Sequence, residues 1–209
     1  MNIKSLIDYT LLRPALNFHN IDTFVQEAIN QGYYSVCIPP YFLDHINRAI
    51  EEDSIKLCSV IGFPNGFESY KSKVEEIKEA ISDGADELDA VLNLAAVKNE
   101  KWNYVDSEID SLVSICRLKN AKLKLIVENE LVSEDELKRI VEIAIKHSVE
   151  YIKTATGVNG KTTPEFVSRL REIVGDDMKI KASGGINTLE EAEVMITSGA
   201  DRIGTSSLI

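Results

Sequence analysis

The sequence predicts an α/β protein: a compact (β/α)8 TIM barrel with a truncated C-terminal end. Three observations lead there. Eight short β-type runs alternate strictly with amphipathic helical segments, the pattern of parallel strands joined by helical crossovers. No break in composition marks a linker within the 209 residues, so residues 1–209 read as one domain. Several runs carry a charge near their C-terminal end, followed by small residues and glycine, which is where a barrel builds its site. A doubly wound open sheet is the competing architecture, and eight units favour closure. The sequence ends at Ile209, two residues after Ser207, which leaves no length for an eighth helix.

In order, Ile7-Asp8-Tyr9-Thr10 is a brief extended segment closed by Pro14. A helix is predicted from Asn20 to about Gln31, with Phe24, Val25, Ala28 and Ile29 on one face and Gly32 as its stop. Tyr34 to Ile38 is a strand ended by Pro39-Pro40, and Tyr41 to Glu51 reads as a helix. Lys56 to Ile61 is the next strand, followed by the turn-rich Gly62-Phe63-Pro64-Asn65-Gly66. A charged helix from about Ser69 to Ser82, a strand from Glu87 to Leu92 and a helix from about Tyr104 to Leu118 follow. After the strand Lys122 to Val127, Ser133 and Glu136 form a capping box, each satisfying a free N–H at the start of a helix ending near His147. The Lys153 strand leads to a cap and first-turn proline at Thr163-Pro164, with Gly175 as the stop. The Lys181 strand leads to a second capping box, Thr188 with Glu191, and a helix closing at Gly199. Arg202-Ile203-Gly204 is the last strand.

Composition narrows the function. Hydrophobic residues make up 44% and charged residues 27%, the balance of a globular protein in water. No apolar run has the length of a membrane span, and Met1 opens into foldable sequence without a signal-peptide core. Three cysteines without metal-type spacing (Cys37, Cys58, Cys116) fit a reduced, cytoplasmic setting. His19, His45 and His147 are far apart, so no metal motif is present. A net charge of −11 argues against nucleic acid and against an anionic membrane surface as partners. A small phosphorylated ligand is still compatible, because backbone N–H groups can supply local positive potential.

Lys153 sits inside the run Tyr151-Ile152-Lys153-Thr154-Ala155-Thr156-Gly157, where a core strand would carry an aliphatic residue. A lone strand lysine usually points outward into water. Two other stretches shift the balance inward: Lys181 repeats the pattern before Ala182-Ser183-Gly184-Gly185, and Asp89 lies within an otherwise apolar strand. In a barrel all three converge at the C-terminal ends of the fourth, sixth and seventh strands. A free lysine of pKa ~10.4 is under ~0.1% neutral amine at pH 7. Desolvation and a second cation both favour the neutral amine, which forms a Schiff base with a carbonyl. Asp89 then serves as general acid/base, or alternatively as a structural ion-pair partner. Lys179 belongs at the bottom of the barrel. The loops after the last two strands, Ser183-Gly184-Gly185 and Gly204-Thr205-Ser206-Ser207, occupy the habitual phosphate site of this fold.

Six segments in this order resemble the deoxyribose-phosphate aldolase family: Ile7 through Pro14, Val60 through Pro64, Gly84 through Asp89, Lys153 through Gly157, Lys181 through Gly185, and Gly199 through Ser207. The resemblance implies a class I aldolase without metal or other cofactor, cleaving 2-deoxy-D-ribose 5-phosphate to D-glyceraldehyde 3-phosphate and acetaldehyde. It implies Lys153 as the Schiff-base lysine, Asp89 as the proton-transfer acid and Lys181 as the cation that tunes Lys153. Asp8, Thr10 and Thr156 fall at substrate-lining positions. Gly157, Gly184, Gly185, Gly204, Ser206 and Ser207 fall at phosphate-loop positions. Tyr9, Pro39 and Ala155 depart from the family's usual histidine, asparagine and serine without removing a reacting group. The tyrosine-ended tail of some members is missing after Ile209, which implies either slow protonation of the enamine carbon or another proton donor for it. The resemblance also admits a homodimer. Competing readings are a Schiff-base aldolase for another phosphorylated carbonyl compound, and a non-catalytic phosphosugar-binding barrel.

Overall fold

The computed structural model describes residues 2–51, 54–207 and 209. Eight strands run in parallel: β1 (Ile7–Thr10), β2 (Ser35–Cys37), β3 (Lys56–Ile61), β4 (Glu87–Val91), β5 (Lys122–Ile126), β6 (Tyr151–Lys153), β7 (Lys179–Ser183) and β8 (Arg202–Thr205). Each pairs with its neighbours in sequence, and β8 returns to β1 with Ile7 opposite Ile203 and Tyr9 opposite Thr205. The barrel is therefore closed, and the open sheet is excluded.

The crossovers are α1 (Phe18–Gln31), α2 (Leu43–Ala49), α3 (Tyr70–Ser82), α4 (Leu94–Lys98), α5 (Trp102–Leu118), α6 (Glu134–Lys146), α7 (Pro164–Val174) and α8 (Leu189–Thr197). Both α4 and α5 lie between β4 and β5, and among the described residues no helix follows β8. The capping boxes at Ser133–Glu136 and Thr188–Glu191 form as expected, and Thr163 caps the helix that Pro164 opens.

Beyond shifts of one or two residues at several element ends, three differences from the sequence reading have a local cause. Helix α1 starts two residues earlier than Asn20, because Asn17 is the cap and Asn20 returns the hydrogen bond from the third position. Asparagine there takes the part usually played by glutamate or glutamine, so the sequence pattern does not announce this box. The stretch from Tyr41 begins as a 3-10 turn, Pro40–Phe42, because proline fixes the first-turn geometry. Helix α4 has no counterpart in the sequence reading; the Asn93 side chain accepts the Ala96 N–H and starts a turn too short to show a period.

The two faces of the strands divide the chemistry. Ile7, Val36, Leu57, Leu88, Leu125, Ile152, Ile180 and Ile203 join one apolar core with the helices. The alternate positions face the barrel axis, since successive side chains point to opposite faces of a strand. Most barrels fill that interior with branched apolar side chains. Here the interior holds Asp8, Glu87, Asp89, Lys124, Lys153, Lys181 and Arg202, all buried.

Candidate active site

Strand register brings these charges together. Lys153 stands opposite Lys181 on β7, and Asp89 opposite Lys124 on β5. Asp89 Oδ2 accepts from both Lys153 Nζ and Lys181 Nζ at 2.7 Å each. Its other oxygen takes Lys124 Nζ at 2.9 Å. The two lysines expected to repel one another thus share one carboxylate oxygen, which lies between them.

Below this triad the network continues. Asp8 Oδ2 faces Lys181 Nζ at 2.6 Å as an ion-pair contact without hydrogen-bond alignment. Asp8 Oδ1 accepts from Ser35 Oγ and from Arg202, each at 2.6 Å. Glu87 pairs with Lys124 at 2.6 Å and with Arg202 at 3.4 Å. Arg202 also stacks on the Tyr34 ring, 3.6 Å from its centroid. Formally, four cations (Lys124, Lys153, Lys181, Arg202) face three acids (Asp8, Glu87, Asp89), leaving one excess positive charge. The lysines are not equivalent within it. Lys124 contacts three carboxylates and Lys181 two, whereas Lys153 contacts only Asp89. Lys153 is also the one that reaches the pocket.

Burial alone would raise the carboxyls of Asp89 and Asp8. The surrounding ammonium groups outweigh it and hold Asp89 well below the ordinary carboxylate range, with Asp8 lowered by Lys181, Lys124 and Arg202. Burial opposes the charge on Lys181 and Lys124 too, but Asp8 and Asp89 overcome it and keep both ammonium groups well above the ordinary lysine value. The ion pairing therefore favours the charged forms of Lys181 and Asp89 in the resting site.

A cavity of about 300 Å³ opens above Lys153. It is lined by Thr10, Leu12 and Phe63 together with Thr156, Gly157, Gly184, Gly185, Asn187, Gly204 and Ser206. The backbone N–H groups of Gly157, Gly184, Gly185 and Ser206 have no protein acceptor among the described residues. Unpaired N–H donors on residues lining one pocket suit an anion such as phosphate. Arg13 lines the same mouth and makes no ion pair among the described residues. Glycine is needed at 184, where φ is +102° and a Cβ would stand 3.3 Å from the Gly160 carbonyl oxygen.

The expected residues divide by depth. Lys153, Thr10, Thr156, Gly157, Gly184, Gly185, Gly204 and Ser206 line the pocket, while Asp89 and Lys181 form the layer against which Lys153 rests. Two placements differ from expectation. Asp8 is fully buried beneath Lys181, so it orders the charge layer instead of lining the substrate pocket. Ser207 lies off the pocket wall, and its Oγ donates to Asn187 Oδ1 at 3.2 Å, bracing a residue that does line it. Gly204 also leaves room for the charge layer, because a Cβ there would stand 3.0 Å from Lys181 Cε.

Sequence reasoning missed Lys124, Arg202 and the charge-layer role of Glu87. A signal for Lys124 is present, since it interrupts an apolar strand just as Lys153 does. Arg202 opens its strand, where a charge ordinarily faces water. Among the described residues, the nearest approach to a metal-type donor set is Cys37, Cys58 and Asp89, with ligand atoms within 4.8 Å of one another. Three ammonium groups already occupy Asp89, and their charge repels a metal cation.

Comparison with known proteins agrees with this geometry. A family model described as DeoC/LacD family aldolase matches residues 5–208. The deoxyribose-phosphate aldolase of Thermococcus gammatolerans is 40% identical over 210 residues, covering 99% of this chain and 93% of that protein. A solved structure titled "QR15, an Aldolase" superposes with a TM-score of 0.93 at 40% identity, covering 99% of this chain and 92% of that one. The deoxyribose phosphate aldolase of Aeropyrum pernix, titled as a unique tetrameric structure, gives a TM-score of 0.91 at 33% identity over 98% of this chain and 86% of that one. The chain belongs to the DeoC/LacD aldolase family.

Proposed function

We propose that the chain is a class I aldolase that cleaves 2-deoxy-D-ribose 5-phosphate, reversibly, to D-glyceraldehyde 3-phosphate and acetaldehyde through a Schiff base on Lys153. The observation that carries this reading is Lys153 itself. Of the three lysines in the charge layer it alone has a single carboxylate partner, and it rests at the floor of a cavity walled by unpaired backbone N–H donors. The substrate follows from the relatives, which are named for this activity.

In the cleavage direction, neutral Lys153 Nζ adds to the aldehyde carbon of the open-chain sugar to give a carbinolamine, whose hydroxyl takes up a proton and leaves as water, giving the protonated imine. The imine withdraws the electrons of the C2–C3 bond. That bond breaks as the C3 hydroxyl loses its proton, releasing glyceraldehyde phosphate and leaving an enamine on Lys153. Protonation at the enamine carbon and hydrolysis then release acetaldehyde and restore the lysine. Asp89, held ionised, is the base nearest Lys153 Nζ and serves the proton transfers at nitrogen. Lys181 donates to the same Asp89 oxygen as Lys153 and keeps that carboxylate in place. The N–H groups of Gly157, Gly184, Gly185 and Ser206 hold the phosphate, with Arg13 at the mouth.

The test is product analysis. Incubation with 2-deoxyribose 5-phosphate is expected to yield equimolar glyceraldehyde 3-phosphate and acetaldehyde, and Lys153→Ala is expected to yield neither. Binding of the sugar phosphate without any product would favour the non-catalytic barrel.

No helix among the described residues is long and apolar enough to cross a membrane.

A further inference from the structure

We propose that Glu128 is a positioning residue for the phosphate grip, acting through the loop after β6; the inference rests on the functional reading above. Glu128 follows β5 and adopts a left-handed backbone, with φ +54°. That region disfavours a side chain of this size. The residue is only 2% exposed, yet no cation lies within ion-pair distance of its carboxylate among the described residues. A buried carboxylate without a cation needs strong donors to persist. Glu128 finds both of them in one loop: Oε1 accepts the Thr156 N–H, and Oε2 accepts from Asn159 Nδ2 at 2.6 Å.

Those two donors bracket Gly157 and Val158, which line the pocket. Between them, Thr156 Oγ1 accepts the Val158 N–H at 3.1 Å, tightening the turn. The ends of the loop are fixed by other groups. Asn129 N–H donates to the Thr154 carbonyl at 2.9 Å, and Thr162 N–H to the Gly184 carbonyl at 3.0 Å. Glu128 therefore holds the middle of the loop, the part that carries the Gly157 N–H. It does not itself line the pocket. A negative charge close to an anion site weakens anion binding by simple repulsion. Its position is intelligible if the geometry it imposes on the Gly157 amide outweighs that repulsion. Lys153 lies on β6 itself, anchored to Asp89, and does not depend on this clamp.

The test compares Glu128→Gly, Glu128→Gln and the wild type on 2-deoxyribose 5-phosphate and on unphosphorylated 2-deoxyribose. Glycine accepts the left-handed backbone while removing the carboxylate. Glu128→Gly is expected to raise KM for the phosphorylated sugar at least tenfold, with kcat within threefold. Its kcat/KM for 2-deoxyribose and its rate of acetaldehyde trapping are expected to stay within twofold. Glu128→Gln, whose amide oxygen still accepts the Thr156 N–H, is expected to recover most of the loss. A parallel fall on both sugars, or an unchanged KM, would overturn the proposal. If Glu128→Gly does not fold, Glu128→Gln and Asn159→Ala make the same comparison, with smaller shifts confined to the phosphorylated sugar. Wild-type turnover tests the functional reading separately. Affinity for inorganic phosphate, measured by thermal shift in each variant, decides the Glu128 question even where neither sugar is cleaved.

Discussion

At the scale of residues, the site depends on buried ion pairs. Removing one partner of a buried pair leaves the other charge uncompensated, at roughly 3–5 kcal/mol. Lys181→Met is the informative case, because Lys181 faces both Asp8 and Asp89. The sign of the pH dependence follows from the shifts. Asp8 and Asp89 are held below their unfolded value of about 3.9, so their contribution is complete above it and lost only as pH falls through the lower folded value. Lys124 and Lys181 are held above about 10.4, so theirs is complete below it and lost as pH rises through the higher folded value. The cluster of the wild type is thus expected to contribute a constant stability from about pH 5 to about pH 9. Lys181→Met is expected to melt lower throughout and to lose further stability at a higher pH on acidification, since Asp8 and Asp89 lose a shared cation. Thermal melts from pH 4 to 9 check this; parallel curves for the two proteins would contradict it.

At the scale of elements, what can be read from the sequence is local. Ser133 with Glu136 and Thr188 with Glu191 announce their helices because a capping box is a pattern within four residues. Lys153, Lys181 and Asp89 are legible because a charge inside an apolar strand is anomalous in itself. The depth of Asp8 is not, since parity gives the face of a strand but not the level along the barrel axis. Glu128 leaves no trace, because its partners Thr156 and Asn159 lie about thirty residues away and a left-handed glutamate has no sequence signature. The same holds for the reason behind Gly204. It reads as a phosphate-loop glycine, yet the side chain it excludes would press on Lys181 Cε and on Ser183 Cβ, which is 2.9 Å away. Gly204→Ala is therefore expected to lower kcat by ten-fold or more through displacement of Lys181, with a smaller change in KM. Steady-state kinetics decide this; a rise in KM at constant kcat would assign the glycine to phosphate contact alone.

At the scale of the whole molecule, closure of the sheet makes the chemistry possible. Eight parallel strands carry an apolar face to the helices and a charged face to the axis, so one barrel supplies both a core and a solvent-free ionic layer. Within that layer, four cations against three acids leave one excess charge, and Lys153 is the member that meets the cavity with the fewest acidic partners. The central claim is that Lys153 is the nucleophile that captures the carbonyl carbon. It is tested most directly by incubating the protein with acetaldehyde and borohydride and mapping the reduced adduct by peptide mass spectrometry. The expected result is a single two-carbon adduct on Lys153 that disappears in Lys153→Ala. A folded, phosphate-binding protein with no adduct at Lys153, or with the adduct on Lys124 or Lys181, would contradict the account.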